Sequence, residues 1–114
     1  MNNTHAVDVL VQFYEHLSPE SVSRSPEFYS ANAYFKDPFN EVHGLAPIQG
    51  IFMHMFDQVS EPRFIIAERI IDGQGAILVW DFHYQLRRWG RDESQRIHGV
   101  SHLVFDTEGK VIWH

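Results

Sequence analysis

The stretch AILVWDFHYQLRRW, residues 76–89, alternates apolar and polar side chains over most of its length. Successive side chains of an extended chain point to opposite faces, so three aromatic residues share one face: Trp80, Phe82 and Tyr84. Polar residues occupy the other face, beginning with Asp81. A period of two over this length predicts a long β-strand with one apolar face that other elements must cover.

The same period continues on both sides of this stretch. Residues 64–72, 95–106 and 110–114 are also predicted as strands. Turn sequences join them at DGQG and DTEG, and a polar loop is expected around residues 90–93. The second half of the chain therefore predicts an antiparallel meander.

The first half of the chain has helical spacing instead. Apolar residues recur every three or four positions, which predicts two long helices over residues 4–17 and 47–60, with Pro62 closing the second. Two Ser-Pro-Glu sequences between them predict short helical turns, and residues 33–37 predict a short strand. Helices followed by an antiparallel sheet are typical of an α+β fold, in which the helices cover one face and leave a cavity.

Length and composition limit the classes of function. A chain of 114 residues predicts one domain, residues 1–114. The formal charge of −6 argues against a nucleic-acid partner, and the absence of cysteine excludes disulfides, thiolate nucleophiles and cysteine-based metal sites. Neither a signal peptide nor a membrane span is evident, so we expect a cytoplasmic protein without a membrane partner. The sequence has no glycine-rich phosphate loop, and we expect no cofactor.

Several motifs resemble one known family. The segment YSANAYFKDPF at residues 29–39, the His-Gly pair at 43–44 before the second long helix, and HLVFD at 102–106 carry the likeness. They resemble the nuclear transport factor 2-like superfamily, in its SnoaL-like and ketosteroid isomerase-like branch. The resemblance implies a cystatin-like, cone-shaped α+β barrel with a pocket between helices and sheet. It also implies a homodimer.

The resemblance also assigns candidate catalytic residues. Asp37, before Pro-Phe, is similar to the base that moves a proton on carbon, and Tyr14 is similar to the donor to the enolate oxygen. Ser101 stands where the isomerases place a protonated carboxylic acid, and its hydroxyl is a weaker donor. The alternatives are that the Asp37 carboxylate caps a turn and that Tyr14 is an ordinary core aromatic.

Matching to the family places an apolar pocket wall on the aromatic face of the long strand. The predicted lining residues are Trp80, Phe82, Tyr84, Phe35, Leu103 and Phe52. Asp81 is a reserve acid–base residue if the register differs by one, and His43 is a reserve residue at the pocket mouth. His98 and His102 lie four residues apart on one strand, about 13 Å, which is too far to share a metal ion. We therefore expect no metal site, and these histidines on the face opposite Ser101.

The predicted function is cofactor-independent chemistry on a small hydrophobic carbonyl compound, either isomerisation or cyclisation, with Asp37 as the base. The alternative is a non-catalytic ligand-binding or dimerisation module of the same fold. A small hydrophobic molecule and a second copy of the chain are the expected partners.

Overall fold

Helices occupy the first half of the chain and strands most of the second, as the hydrophobic periodicity predicts. The computed structural model describes residues 3–88 and 90–114. Its helices are α1 (Thr4–Glu15), α2 (Pro19–Val22) and α3 (Leu45–Gln58), with a 3₁₀ turn at Ser25–Glu27. Its strands are β1 (Tyr29–Lys36), β2 (Glu41–His43), β3 (Ser60–Ile71), β4 (Gly75–Arg88), β5 (Arg91–Phe105) and β6 (Val111–Trp113). In this part of the chain no helix is long and apolar enough to cross a membrane.

Six strands of the described chain form one curved sheet in the order β2-β1-β6-β5-β4-β3. The fold is therefore α+β, as predicted, and the sheet stays open between its β2 and β3 edges rather than closing into a complete barrel. The second half forms the predicted antiparallel meander, with β3, β4, β5 and β6 paired in chain order. The sequence did not predict a further pairing, in which β6 runs parallel to β1. This pairing sets Tyr29 opposite Val111 and joins the first strand of the chain to the last.

One face of the sheet is buried beneath α1 and α3. Val7 and Leu10 of α1 have almost no exposed surface, and neither do Leu78 and Leu103 on the central strands. Burying a side chain of this size stabilises the fold by about 1.5–3 kcal/mol. The helices therefore cover this inner face of the sheet, and we call the opposite one the outer face.

A carboxylate of α1 supports the curvature of β3. The pairing of β3 with β4 shifts register between Ile66 and Glu68, which marks a bulge. The Ile66 N–H donates a hydrogen bond of 3.0 Å to Glu15 Oε2 at the end of α1. The side chain thus satisfies a backbone group at the irregular step and ties α1 to the strand.

Several predicted boundaries are wrong, and long-range pairing explains them. β1 begins at Tyr29 because β6 pairs with it, and the short β2 is formed only through its pairing with β1. Pro62 lies within β3 instead of closing α3. An edge strand tolerates a proline at a register shift, and β3 shifts register there. The predicted loop at 90–93 is strand from Arg91, which pairs with Arg88. The predicted strand end at Trp89 falls outside the described residues.

Candidate functional site

The His114 ring lies at the centre of the inner face. The residue follows β6 and stays paired with β1, since its N–H donates to the Tyr34 carbonyl (2.9 Å) and its carbonyl accepts from the Lys36 N–H (2.8 Å). Its ring stacks on Tyr29 with 6.1 Å between centroids and meets Phe35 edge-on at 4.6 Å. The imidazole is therefore enclosed by aromatic side chains, although the residue as a whole is partly exposed.

A continuous row of hydrogen bonds passes through this ring, and we name it the polar chain. Its members are Trp80, Ser101, His114, Tyr29 and Tyr14. The Trp80 Nε1–H donates to Ser101 Oγ (3.0 Å), and Ser101 Oγ lies 3.2 Å from His114 Nε2. On the other side of the ring, His114 Nδ1 lies 3.0 Å from Tyr29 Oη, which lies 2.5 Å from Tyr14 Oη. Helix α1 and strands β1, β4 and β5 thus contribute polar groups to one row.

Burial keeps the ionisable members of the polar chain neutral. It lowers the pKa of His114 to about 4, against a smaller opposing attraction from the Asp37 carboxylate. Burial also raises the pKa of both tyrosines, and for Tyr14 this effect exceeds the lowering of its pKa by the hydrogen bond it shares with Tyr29. At neutral pH the polar chain therefore consists of uncharged donors and acceptors.

Gly99 allows Trp80 to take part in the polar chain. It stands opposite Trp80 in the β4–β5 pairing, and a Cβ built there would lie 2.5 Å from the indole ring. The missing side chain lets the indole lie across β5 and reach Ser101, two residues further along that strand.

Asp37 lies in the turn between β1 and β2. Its Oδ1 accepts hydrogen bonds from the backbone N–H groups of Phe39 (2.8 Å) and Asn40 (2.7 Å), and from Asn40 Nδ2 (3.1 Å). Its Oδ2 is 3.2 Å from the same amide nitrogen. The turn-capping contacts foreseen as the alternative are thus present, while the carboxylate charge still acts on His114. The proposed role as a base stays a prediction.

Aromatic side chains continue from Tyr14 along the sheet. Phe64 lies 6.5 Å from Tyr14 between ring centroids, stacks on Phe82 at 4.5 Å and meets Trp80 edge-on at 5.5 Å. Phe82 in turn stacks on Tyr84 at 5.0 Å. These four half-buried residues, Phe64, Trp80, Phe82 and Tyr84, form what we call the aromatic wall.

The other predicted lining residues, Phe35, Phe52 and Leu103, are buried in the core.

Two cavities lie away from the polar chain. One of about 590 Å³ separates α1 from the α2 region, and one of about 250 Å³ is bordered by Tyr84 and the neighbouring ends of β3 and β5. Only Tyr84 of the predicted lining residues borders either of these two cavities.

The two reserve residues point away from Tyr14. Asp81 is on the outer face, where its Oδ1 lies 2.9 Å from Nδ1 of His98, its partner on β5. His43 packs beside Tyr34, with 5.1 Å between ring centroids, and is exposed. The described residues hold no group of three His, Asp or Glu side chains arranged to bind a metal ion.

Two members of the polar chain had no predicted role. Tyr29 belongs to the family-like segment, but its sequence position gives no sign of contact with Tyr14. His114 is 85 residues from Tyr29 and 13 from Ser101, and the parallel pairing of β6 with β1 brings them together. The sequence did predict a last strand that includes His114. Its periodicity, however, does not specify which strand it pairs with.

The chain is similar to several proteins of known structure. A candidate SnoaL-like polyketide cyclase from Shewanella putrefaciens CN-32 shares 18% identity at a TM-score of 0.78, covering 96% of this chain and 86% of that one. A candidate polyketide cyclase from Acidithiobacillus ferrooxidans shares 16% identity at a TM-score of 0.81, covering 97% and 85%. A Catenulispora acidiphila protein with a ketosteroid isomerase-like fold shares 11% identity at a TM-score of 0.77, covering 96% and 82%. No curated protein matches the chain.

These structures confirm the fold, and at such identities they show nothing more. The family itself is shown by sequence, because the SnoaL-like domain model matches residues 10–114. Together with the open α+β sheet and its helices, this match establishes that the chain belongs to the SnoaL-like domain family.

Proposed function

We propose that the protein binds a small hydrophobic carbonyl compound on the aromatic wall, with the carbonyl oxygen at Tyr14, and that Asp37 moves a proton at the neighbouring carbon. One observation carries this proposal: Tyr14 and Asp37 act on the same imidazole. Tyr14 Oη lies 3.5 Å from His114 Nδ1, and the Asp37 charge acts on that ring. Both groups thus influence the His114 ring, Tyr14 through a direct contact and Asp37 through its charge.

The chemistry of this pair is proton transfer on carbon. The Asp37 carboxylate takes a proton from the carbon next to the carbonyl, and the C–H electron pair forms the enolate double bond. Negative charge then develops on the carbonyl oxygen, where the Tyr14 hydroxyl donates a hydrogen bond. Return of the proton to another carbon completes an isomerisation. In a cyclisation the enolate carbon attacks a second carbonyl, whose π electrons move to its oxygen, and the proton held by Asp37 passes to that oxygen.

The hydrogen bonds of Asp37 leave room for this role at one oxygen. Oδ1 accepts three hydrogen bonds within the turn. Within the part of the chain that the structure describes, the Asn40 side-chain amide is the one hydrogen-bond contact of Oδ2. Oδ2 therefore keeps lone-pair capacity for a proton. The turn itself holds the carboxylate in place.

The same hydrogen bonds favour a second candidate, a binding module without a reaction. The three donors at Oδ1 hold the carboxylate in the turn between β1 and β2, which is a complete structural role without any reaction. In that case Tyr14 and the aromatic wall still bind the ligand, and Asp37 only shapes the turn.

Binding of 2-naphthol, whose naphtholate resembles an enolate, tests the site. A hydrogen bond to a charged oxygen contributes about 1.5–3 kcal/mol, so Tyr14→Phe should weaken naphtholate binding by at least tenfold. Asp37→Asn should tighten it, because the substitution removes a like charge. Asp57→Asn, at an exposed position on α3, is the matched control. Unchanged affinity in both Tyr14→Phe and Asp37→Asn would contradict the proposal.

We also propose a homodimer through the outer face. Ile70 and Val100 are 61% and 63% exposed, and Trp113 is 41% exposed. Exposed apolar residues grouped on one sheet face are typical of an association surface. Sedimentation equilibrium should give a dimer that Val100→Glu dissociates, and a native monomer at micromolar concentration would contradict this.

A further inference from the structure

The Trp80 end of the polar chain fixes the direction of one hydrogen bond, and counting protons limits the direction of the others. The Trp80 indole N–H is a donor and never an acceptor, so Ser101 Oγ accepts at that end. Neutral His114 carries one proton on its two ring nitrogens, and each hydroxyl carries one proton. The five side chains of the polar chain thus hold five protons and make four hydrogen bonds in sequence, beside the longer 3.5 Å contact of Tyr14 Oη with His114 Nδ1. One hydroxyl proton is left over.

Two arrangements are compatible with these bonds. In the first, Ser101 donates to His114 Nε2, Nδ1–H donates to Tyr29, and Tyr29 donates to Tyr14. The leftover proton is then that of Tyr14. In the second, Nε2–H donates to Ser101, Tyr29 donates to Nδ1, and Tyr14 donates to Tyr29, which leaves the Ser101 proton over.

The surroundings favour the first arrangement. Ser101 lies between Trp80 and His114, and its leftover proton would have no acceptor among the contacts of the described residues. An unpaired polar group inside a protein costs free energy in either arrangement, so the choice depends on which leftover proton a ligand can pair. Tyr14 lies at the end of the polar chain and next to Phe64 of the aromatic wall. A proton left over there has an acceptor as soon as a ligand oxygen arrives.

We propose that His114 is a positioning residue, protonated at Nδ1, which holds Tyr29 as its acceptor and so leaves the Tyr14 hydroxyl proton for the ligand. This inference rests on the proposed function. It specifies the ligand class as molecules that present an oxygen acceptor, a carbonyl or enolate oxygen, beside an apolar body. It also gives Trp80 and Ser101 a role in setting the direction of donation, so Ser101 acts through His114 rather than on the ligand.

The tautomer of His114 is the first test. A two-dimensional ¹⁵N–¹H spectrum of the labelled protein at pH 7 distinguishes a protonated ring nitrogen from an unprotonated one, and comparison with His114→Asn assigns the signals. The expected result is protonation at Nδ1. Protonation at Nε2 overturns the proposal.

Ligand selectivity is the second test. The probes are 2-acetylnaphthalene, which offers an acceptor oxygen, and 2-isopropylnaphthalene, which has a similar shape without it. The native protein should prefer the ketone, and His114→Phe should reduce that preference about fivefold, the value of one neutral hydrogen bond. His114→Asn keeps an amide N–H for Tyr29 and should retain the preference. His54→Phe, at an exposed position on α3, is the control.

The outcomes separate this inference from the proposed function. A preference that falls in Tyr14→Phe and stays unchanged in His114→Phe supports Tyr14 as the ligand donor and overturns the role of His114. Failure of the native protein to bind either probe overturns the proposed function, and the tautomer then decides the inference alone. A merely structural role for His114 would weaken binding of both probes equally, which would also overturn it.

Discussion

Acidification should destabilise the protein through His114. Burial lowers the pKa of this group from 6.5 to about 4, whereas in the unfolded chain it titrates at its ordinary value. Between these two values the unfolded state binds more protons than the folded state, so stability falls as the pH falls. The stabilisation is fully present above pH 6.5 and is lost towards pH 4. A difference of this size corresponds to roughly 3 kcal/mol.

The groups that face the imidazole determine this value. Tyr14 of α1 and Tyr29 of β1 are neutral, Ser101 of β5 is uncharged, and Asp37 is the carboxylate whose attraction opposes the shift. The expected loss already includes that attraction, which is smaller than the effect of burial.

Urea denaturation of native protein and His114→Asn, at intervals from pH 7.5 to pH 4, measures the effect. The native free energy of unfolding should fall by about 3 kcal/mol more than that of the variant, because all other titrating groups are shared. His54→Asn, at an exposed position, should run parallel to the native curve. Parallel curves for native protein and His114→Asn would refute the reasoning, since they would show that the imidazole is free to ionise in the folded state.

Two further predictions concern the fold around the site. Glu15→Ala leaves the Ile66 N–H without its acceptor and should lower the free energy of unfolding by about 1–3 kcal/mol, whereas Glu15→Gln, which keeps an oxygen there, should restore most of it. Equal stability of Glu15→Ala and native protein in urea would refute this. Gly99→Ala places a Cβ against the Trp80 ring and should cost about 1–3 kcal/mol with a change in tryptophan fluorescence, and an unchanged spectrum and stability would contradict the packing described.

The elements with a strong local period were predicted within a few residues. The inner face of β4, with Trp80, Phe82 and Tyr84, followed from simple alternation, because a strand with one buried face must alternate. Helix α3 was displaced by two residues at each end, at Leu45 and Gln58, which is the usual uncertainty of helix ends. These features depend on nearby residues alone.

Features made by distant pairing were not predictable. The insertion of β6 between β1 and β5 has no local signature, and it places His114 beside Tyr29 and Ser101. The sequence therefore offered Tyr14 and Ser101 as two separate candidates, while their connection through an imidazole depended on the topology. For Asp37 the sequence left a base and a turn cap open, because an Asp-Pro sequence serves both roles.

Deuterium exchange into a ketone tests the central claim most directly. Cyclic ketones of one to three rings, such as 2-tetralone, are incubated with the protein in D₂O, and proton NMR follows the loss of the C–H signals next to the carbonyl. Native protein should accelerate the exchange above buffer, Asp37→Asn should reduce the rate by at least a hundredfold, and Asp57→Asn should match the native rate. Exchange no faster than in buffer, or equal in native protein and Asp37→Asn, would contradict the assignment of Asp37 as the base.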